Sequence, residues 1–385
     1  MLIGSFSGWA QGSRLSPQAQ ISLITGSPGQ DLYTLFGHSG LRVYDPATRM
    51  DIMFNYGTFD FDTPNFYLKF VRGRLDYFLS ISDYPSFVEF YTRSGRAVYE
   101  QVLRLSPAQK EKLFAFLQEN YKLENRFYRY DFFYDNCATR IRDALIQSLG
   151  ADFAYNASAA PQPRSFRQWV DPYLSFSWVR LGIYLLLGSP ADKMADGSLW
   201  MFLPDNLKEG LAKARIRQEG QWKPAALPTK DVYAGLGHKT SASWLNPYLI
   251  LPLICAVTAI LLVFAPFRLT QWVDFTLFLL MGLVGVFFLL MWLGTDHNAT
   301  KSNLNLLWAW PSHLVFAFYF LGKSPHYWSG RYFGVFTITQ AILMAGWSFW
   351  PQSLHGSLLA LTTLLMWRAL RYYLRSGVVG YIAKQ

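Results

Sequence analysis

The 385-residue sequence predicts an α+β domain outside a membrane, followed by an all-α five-helix transmembrane domain. Three observations lead there. Charged residues make up only 16% of the chain and hydrophobic residues 51%, against a usual quarter charged, and the deficit begins at Trp244. After that point come five apolar runs, at about 245–267, 273–293, 304–321, 332–350 and 358–374, each of a length that crosses a bilayer. Before it, alternating stretches near residues 38–59 and one-sided helical stretches at 105–121 and 137–150 share one ordinary globular segment.

From the N-terminus, MLIGSFSGWAQG carries an apolar stretch and the small residues Gly8 and Ala10, as before a signal-peptidase site, but no basic start. Residues 1–15 are therefore expected to be a signal remnant or a disordered terminus, and residues 16–150 the first domain. Within it, LYTLFGHSGLRVYD alternates like a half-buried strand, DPATRMD turns, and IMFNYGTF returns. A hairpin centred near Thr48 sets His38 opposite roughly Gly57 or Phe59, with Asn55 close by. YLKFVRGRLDYF (67–78) interleaves basic and aromatic residues; in an exported domain this suits a lipid surface better than nucleic acid, with a solvated strand edge as the plain alternative. Ser106 and Pro107 open an amphipathic helix over 105–121.

FYDNCATRIRDALIQSLG then places Cys137 in the first turn of a helix, with Asp135 and Asn136 as cap types before it. Ile141, Ala144, Leu145 and Leu149 mark the inward face, and Cys137 falls on it. A thiol at a helix N-terminus is favoured as thiolate, and the free N–H groups there suit an oxyanion. Cys255 lies in the first apolar run, so Cys137 has no disulfide partner in its domain. A nucleophile needs a base. His38 is the candidate, His238 lies in the linker, and Asn55 or Asp60 would orient the ring. His297 is the more distant substitute. Arg42, Tyr56 and Arg140, on the same hairpin and helix, are candidate substrate-binding residues.

Residues 151–234 are expected to extend the first domain with helices. WVDPYLSFSWVRLGIYLLLG within it is interrupted by Asp171 and Arg180, which points to an interfacial or acyl-channel helix rather than a sixth span. Residues 235–244 read as a linker, 245–376 as the membrane domain and 377–385 as a tail. Basic residues alternate across the spans: Arg268, then Lys323 and Arg331, then Arg368, Arg371, Arg375 and Lys384 on one side, and Lys301 on the other. The positive-inside rule then sets the first domain in the periplasm and the C-terminus in the cytoplasm, in the inner membrane. The loop DHNATKSNLN faces the catalytic side, where Asp296, His297, Thr300, Asn303 and Asn305 are candidate headgroup or docking residues. The net charge of +10 suits anionic lipid. No zinc-spaced His/Cys set, G-x-G-x-x-G or Walker A motif occurs, so neither metal nor cofactor is expected.

FGHSGLRV ahead of NCATRIRD resembles the circularly permuted branch of the NlpC/P60 papain-like superfamily. Together, GHSGLRVYDP, FNYGTFDF, FYDNCATRIRD, MFLPDNL and GTDHNATKSNLNLLWAWP resemble the Lnb-type lipoprotein N-acyltransferase family. The resemblance implies a permuted papain-like domain with an antiparallel sheet, Cys137 as nucleophile and His38 as base. It implies a phospholipid acyl donor and a diacylated lipoprotein acceptor, joined through a Cys137 thioester in ping-pong order. A membrane-anchored cysteine hydrolase (phospholipase, or cell-wall amidase or endopeptidase) and a non-catalytic scaffold are the alternatives.

Overall fold

A computed structural model describes residues 14–156, 162–175, 177–237 and 244–376. The expectations for the N-terminal stretch before Arg14, for His238 and most of the linker, and for the 377–385 tail lie outside these residues. The chain divides into two compact units. One contains Met1–Tyr173 and Met194–Thr240, the other Leu174–Lys193 and Ser241–Gln385.

The first unit is built on an antiparallel sheet. Its strands are β1 (Gln20–Gly26), β2 (His38–Asp45), β3 (Met50–Thr58), β4 (Asp76–Asp83), β5 (Val98–Val102), β6 (Phe127–Arg129) and a late β10 (Lys230–Tyr233). Among the described residues they are ordered β10-β5-β1-β2-β3-β4-β6. The β2–β3 hairpin pairs Asp45 with Met50 and Leu41 with Phe54, the register expected from the turn DPATRMD. Three helices precede residue 122: α1 (Phe66–Val71), α2 (Tyr84–Arg93) and α3 (Pro107–Tyr121). Helix α3 starts where Ser106 forms a capping box with Gln109, which satisfies otherwise orphaned N–H donors.

Helix α4 (Cys137–Leu149) packs on β2 and β3. Its buried stripe is Ile141, Ala144, Leu145 and Leu149, at the spacing that puts them on one face. After it come a short strand β7 (Phe153–Ala154), α5 (Phe166–Val170), α7 (Pro204–Ala212) and the hairpin β8 (Arg215–Gln218)–β9 (Gln221–Pro224), which closes a small sheet with β7.

The expected helical extension over 151–234 is divided by the structure. Helix α6 (Trp178–Leu186) packs with the second unit, where Leu181 joins the apolar core. The reason is local. The last carbonyls of a helix have no intrahelical donor, and here side-chain amides supply them. Asn303 Nδ2 donates to the Leu185 carbonyl at 2.7 Å, Asn305 Nδ2 reaches Leu185 at 3.3 Å, and Gln352 Nε2 donates to Leu187 at 3.2 Å.

The second unit contains α8 (Pro247–Phe264), α9 (Phe267–Leu293), the single turn α10 (His313–Phe316), α11 (Tyr327–Ala345) and α12 (Leu358–Arg375). Among the described residues, α8 and α9 are long and apolar enough to cross a membrane. The third expected span does not form one helix. Leu304–Leu307 and Ala317–Leu321 are 3₁₀ turns flanking α10. Pro311 interrupts the hydrogen-bond ladder there, and the segment lies directly on α9. A Cβ on Gly285 would sit 2.2 Å from the Ala309 carbonyl oxygen, so a side chain at 285 would push the segment away. Helices α11 and α12, at 19 and 18 residues, are long enough to span but more polar. Arg368 of α12 and Asp274 of α9 form a buried two-pronged ion pair, both contacts at 2.7 Å.

Asn303 is 1% exposed, so Asn303→Ala removes a donor from the buried end of α6. Losing that bond, with the Asn305 amide still 3.3 Å from the Leu185 carbonyl, costs about 0.5–1.5 kcal/mol. The expected outcome is a lower unfolding temperature of the detergent-solubilised full chain. An unchanged melt would show that the amide does not secure the helix.

Candidate functional site

The site forms where β2 begins, β3 ends and α4 starts. Asn136 is the N-cap. Its Oδ1 accepts the Ala138 and Thr139 N–H groups at 2.8 and 3.0 Å, and its Nδ2 donates to the Phe132 and Phe202 carbonyls at 2.7 and 2.9 Å. Cys137 therefore begins the helix at a fixed place, partly exposed and unpaired. Strand β3 shifts register against β4 between Asn55 and Thr58. Gly57 in that irregularity has φ +88°, and a Cβ there would lie 3.6 Å from Cys137 Cβ. Glycine suits this position because other residues rarely adopt that φ.

The His38 ring and the Cys137 sulfur lie close enough to couple electrostatically. Its Nε2 lies 3.2 Å from Asn55 Oδ1. The orientation of the Asn55 amide follows from its other bonds: Nδ2 donates to Ser82 Oγ at 2.9 Å and to the Met53 carbonyl at 3.3 Å. Oδ1 is thus left for the ring, which leaves Nδ1 for the sulfur. Asp60, the competing orienter, is exposed and caps its own turn through the Asp62 N–H.

The electrostatics move both groups toward their charged forms. Burial opposes the charge on each partner. For Cys137, the His38 charge and hydrogen bond, with the Ser39 and Ala138 N–H groups, outweigh burial and lower the thiol below its ordinary value. For His38, burial is outweighed by the Cys137 charge and hydrogen bond and by Asn55, and the ring is raised, with Arg96 a lesser opposing influence. Around the sulfur stand phenols that the sequence reading passed over. Burial, and next the Cys137 charge, hold Tyr128 and Tyr130 protonated well above the usual phenol range. The Tyr128 hydroxyl is buried with no hydrogen-bond partner among the described residues, 3.9 Å from the Cβ position of Gly57. The clustered tyrosines of FYRYDFFYDNC were visible in the sequence, but nothing there said that their hydroxyls converge on the cysteine.

Other expected site residues are engaged elsewhere. Arg42 pairs with Asp51 at 2.6 and 2.8 Å and Glu100 at 3.0 Å, with its guanidinium 3.7 Å over the Tyr84 ring. Tyr56 is buried in the core, edge-on to Tyr128. Asp135 does not act as cap or oxyanion donor: it holds Arg140 through both oxygens, and Arg140 stacks 3.9 Å over Tyr128. These three contacts brace the hydroxyl wall of the site. Asp296, His297, Thr300, Asn303 and Asn305 belong to the second unit. Thr300 donates to the Met291 carbonyl, and Asn303 and Asn305 are bound to α6 as described, so their side chains do not form the wet headgroup loop the sequence suggested. His38 is the imidazole that couples to the cysteine.

Fold and site thus define an α+β domain with a Cys-His-Asn arrangement, joined to a helical membrane unit. Residues 5–170 match the Lnb N-terminal periplasmic domain, and residues 239–377 match the Lnb transmembrane domain. The chain belongs to the Lnb family, and it is a membrane protein with an exported N-terminal domain. No curated protein and no solved structure matches it.

The coupling of sulfur and ring sets a pH dependence. Alkylation of Cys137 in the full chain by iodoacetamide is expected to have its midpoint below the ordinary thiol value of 9.0. His38→Ala removes the largest influence that opposes burial, so the midpoint should move up. An unmoved midpoint would show that the ring does not activate the sulfur.

Proposed function

We propose that the chain is a lipoprotein N-acyltransferase, which moves an acyl chain from a phospholipid to the α-amino group of a diacylglyceryl-cysteine lipoprotein. The observation that carries this reading is the Cys137–His38–Asn55 arrangement in an exported domain attached to a membrane unit.

In the first half-reaction the Cys137 thiolate attacks the ester carbonyl. The tetrahedral oxyanion is held by the Cys137 N–H, which as a first helical residue has no intrahelical acceptor, and by the Tyr128 hydroxyl. The carbon–oxygen bond to glycerol breaks, the His38 imidazolium protonates the departing alkoxide, and lysophospholipid leaves an S-acyl enzyme. In the second, the lipoprotein amine attacks the thioester, neutral His38 takes its proton, and the carbon–sulfur bond breaks to return the thiolate. Each turnover ends in the starting protonation state, and the order is ping-pong. Asn55 keeps Nδ1 aimed at the sulfur throughout.

A route for the acyl chain supports a lipid substrate. Tyr130 stacks on Tyr77 at 4.6 Å, Tyr77 meets Phe59 at 5.4 Å, and Phe59 meets Phe66 and Phe61 at 5.8 and 5.0 Å. This aromatic line runs from the cysteine to α1, where Tyr67 is 78% exposed and Phe61, just before the helix, 69%. Leu68, Phe70 and Val71 are exposed beside Lys69 and Arg72. Apolar side chains flanked by cations suit insertion at an anionic lipid surface. The inner-membrane orientation with a cytoplasmic C-terminus is part of this proposal. It rests on Arg268, Lys323, Arg331, Arg371 and Arg375 lying on one side of the spans and Lys301 on the other.

The test is to incubate the purified full chain with phospholipid and a diacylated lipopeptide and to read products by mass spectrometry. Acylated peptide and lysophospholipid are expected in equal amounts, none with Cys137→Ala, and about 10²–10⁴-fold less with His38→Ala. Free fatty acid without acylated peptide would make the protein a phospholipase instead. In the same assay Tyr128→Phe should lower kcat about 10²-fold with KM little changed, as when one oxyanion donor is lost. A change in KM alone would remove Tyr128 from that role.

A further inference from the structure

The Arg368–Asp274 pair borders a second feature, confined to the membrane unit and unrelated to the cysteine chemistry. At the end of the bundle where α9 begins and α12 finishes, a cavity of about 60 Å³ is lined by Thr270, Gln271, Asp274, Arg368, Arg371 and Arg375, among others. Three guanidinium groups face one carboxylate. That carboxylate is already fully engaged, since both its oxygens take Arg368 Nε and Nη2. Arg368 is 2% exposed, yet its Nη1 has no hydrogen-bond partner among the described residues. Nor, among the described residues, does an ion pair form on Arg371 or Arg375. A buried donor without an acceptor is rare and costly. Two further unpaired cations at the same cavity make the deficit one of negative charge as well as of acceptors.

We propose that this cavity binds a phosphate group, with Arg368 Nη1 at its floor and Arg371 and Arg375 at its mouth. The planar fork of arginine matches phosphate oxygens, and the volume suits one small tetrahedral anion. Basic pockets between spanning helices take lipid headgroups in this way. The surrounding charge suits a cytoplasmic-leaflet position: Arg268, Lys323 and Arg331 lie near this end in the chain. The neighbouring helix is tied in as well, through Tyr372 and Ser329, whose hydroxyls are 2.8 Å apart. An occupied pocket would therefore join α9, α11 and α12 at one end. It would serve as a structural lipid site.

The test uses the full chain in maltoside detergent micelles, which carry no phosphate, alone, with phosphatidylglycerol added, or with inorganic phosphate added. The readouts are the unfolding temperature and the lipid retained in native mass spectrometry. The phosphorylated ligand should raise the unfolding temperature of the parent and of Arg331→Gln, an exposed cation outside the cavity. It should not raise that of Arg371→Gln/Arg375→Gln, which leaves the Asp274–Arg368 pair intact. A shift with inorganic phosphate alone assigns the pocket to free phosphate; a shift that requires phosphatidylglycerol, with one retained lipid, assigns it to a headgroup. If no addition shifts the parent, or if Arg331→Gln loses the response as fully as the double variant, the pocket is refuted in favour of diffuse surface charge. Should the double variant fail to melt cooperatively in detergent alone, Arg375→Gln alone carries the same comparison, because that side chain is exposed.

Discussion

Asn136 uses every hydrogen-bonding position it has. Its carbonyl oxygen holds two N–H groups of the first turn of α4, and its amide holds two carbonyls, one of them at Phe202, far along the chain. The helix start, the loop before it and the segment around Phe202 are thereby pinned to one buried point. Cys137 follows directly, so the position of the sulfur against the hairpin depends on this amide more than on any contact of its own. The histidine is fixed with comparable economy, since Asn55 is itself oriented by Ser82 and the Met53 carbonyl. The sulfur and the ring are thus each held in place by an asparagine of their own.

Much of this arrangement was legible in the chain. A capping residue before a one-sided apolar pattern announced α4, and DPATRMD set the hairpin register that brings Asn55 near His38. These signals are local and follow from hydrogen-bond satisfaction and side-chain period, which act over a few residues. The tyrosine wall was not legible, because Tyr56, Tyr128 and Tyr130 meet only through the packing of β3 against β4 and β6. Arg42 and Arg140 looked like free cations, and their carboxylates, some distant in sequence, became visible only in the fold. The polar loop after α9 misled for a related reason. Asn303 and Asn305 read as solvated, whereas carbonyls at the end of α6 in an apolar setting leave no other donor within reach. Hydropathy counted five runs, but it does not register Pro311 or the close approach at Gly285, which turn the third run into short turns.

The two units meet different demands with the same device of an amide or guanidinium completing a backbone or carboxylate that water would otherwise solvate. In the exported unit that completion positions a reactive sulfur. In the membrane unit it holds α6 and joins α9 to α12. The aromatic line toward α1 adds a feature of another kind, a chain of touching rings that starts at Tyr130 and ends at exposed side chains.

The pairing of Asp274 with Arg368 has a consequence for how the chain is made. The two residues are 94 positions apart, so a ribosome completes α9 well before α12 exists. During that interval the carboxylate lies in an apolar segment without its partner, at a cost below the ~2.5–3.5 kcal/mol that the insertion scale gives at a helix centre, since Asp274 lies toward the start of α9. The nascent bundle must therefore shelter α9 in the insertion machinery or at the lipid boundary until α12 emerges. Assembly is in this way coupled to α12, and a product truncated before it retains an unpaired carboxyl group in its second membrane helix.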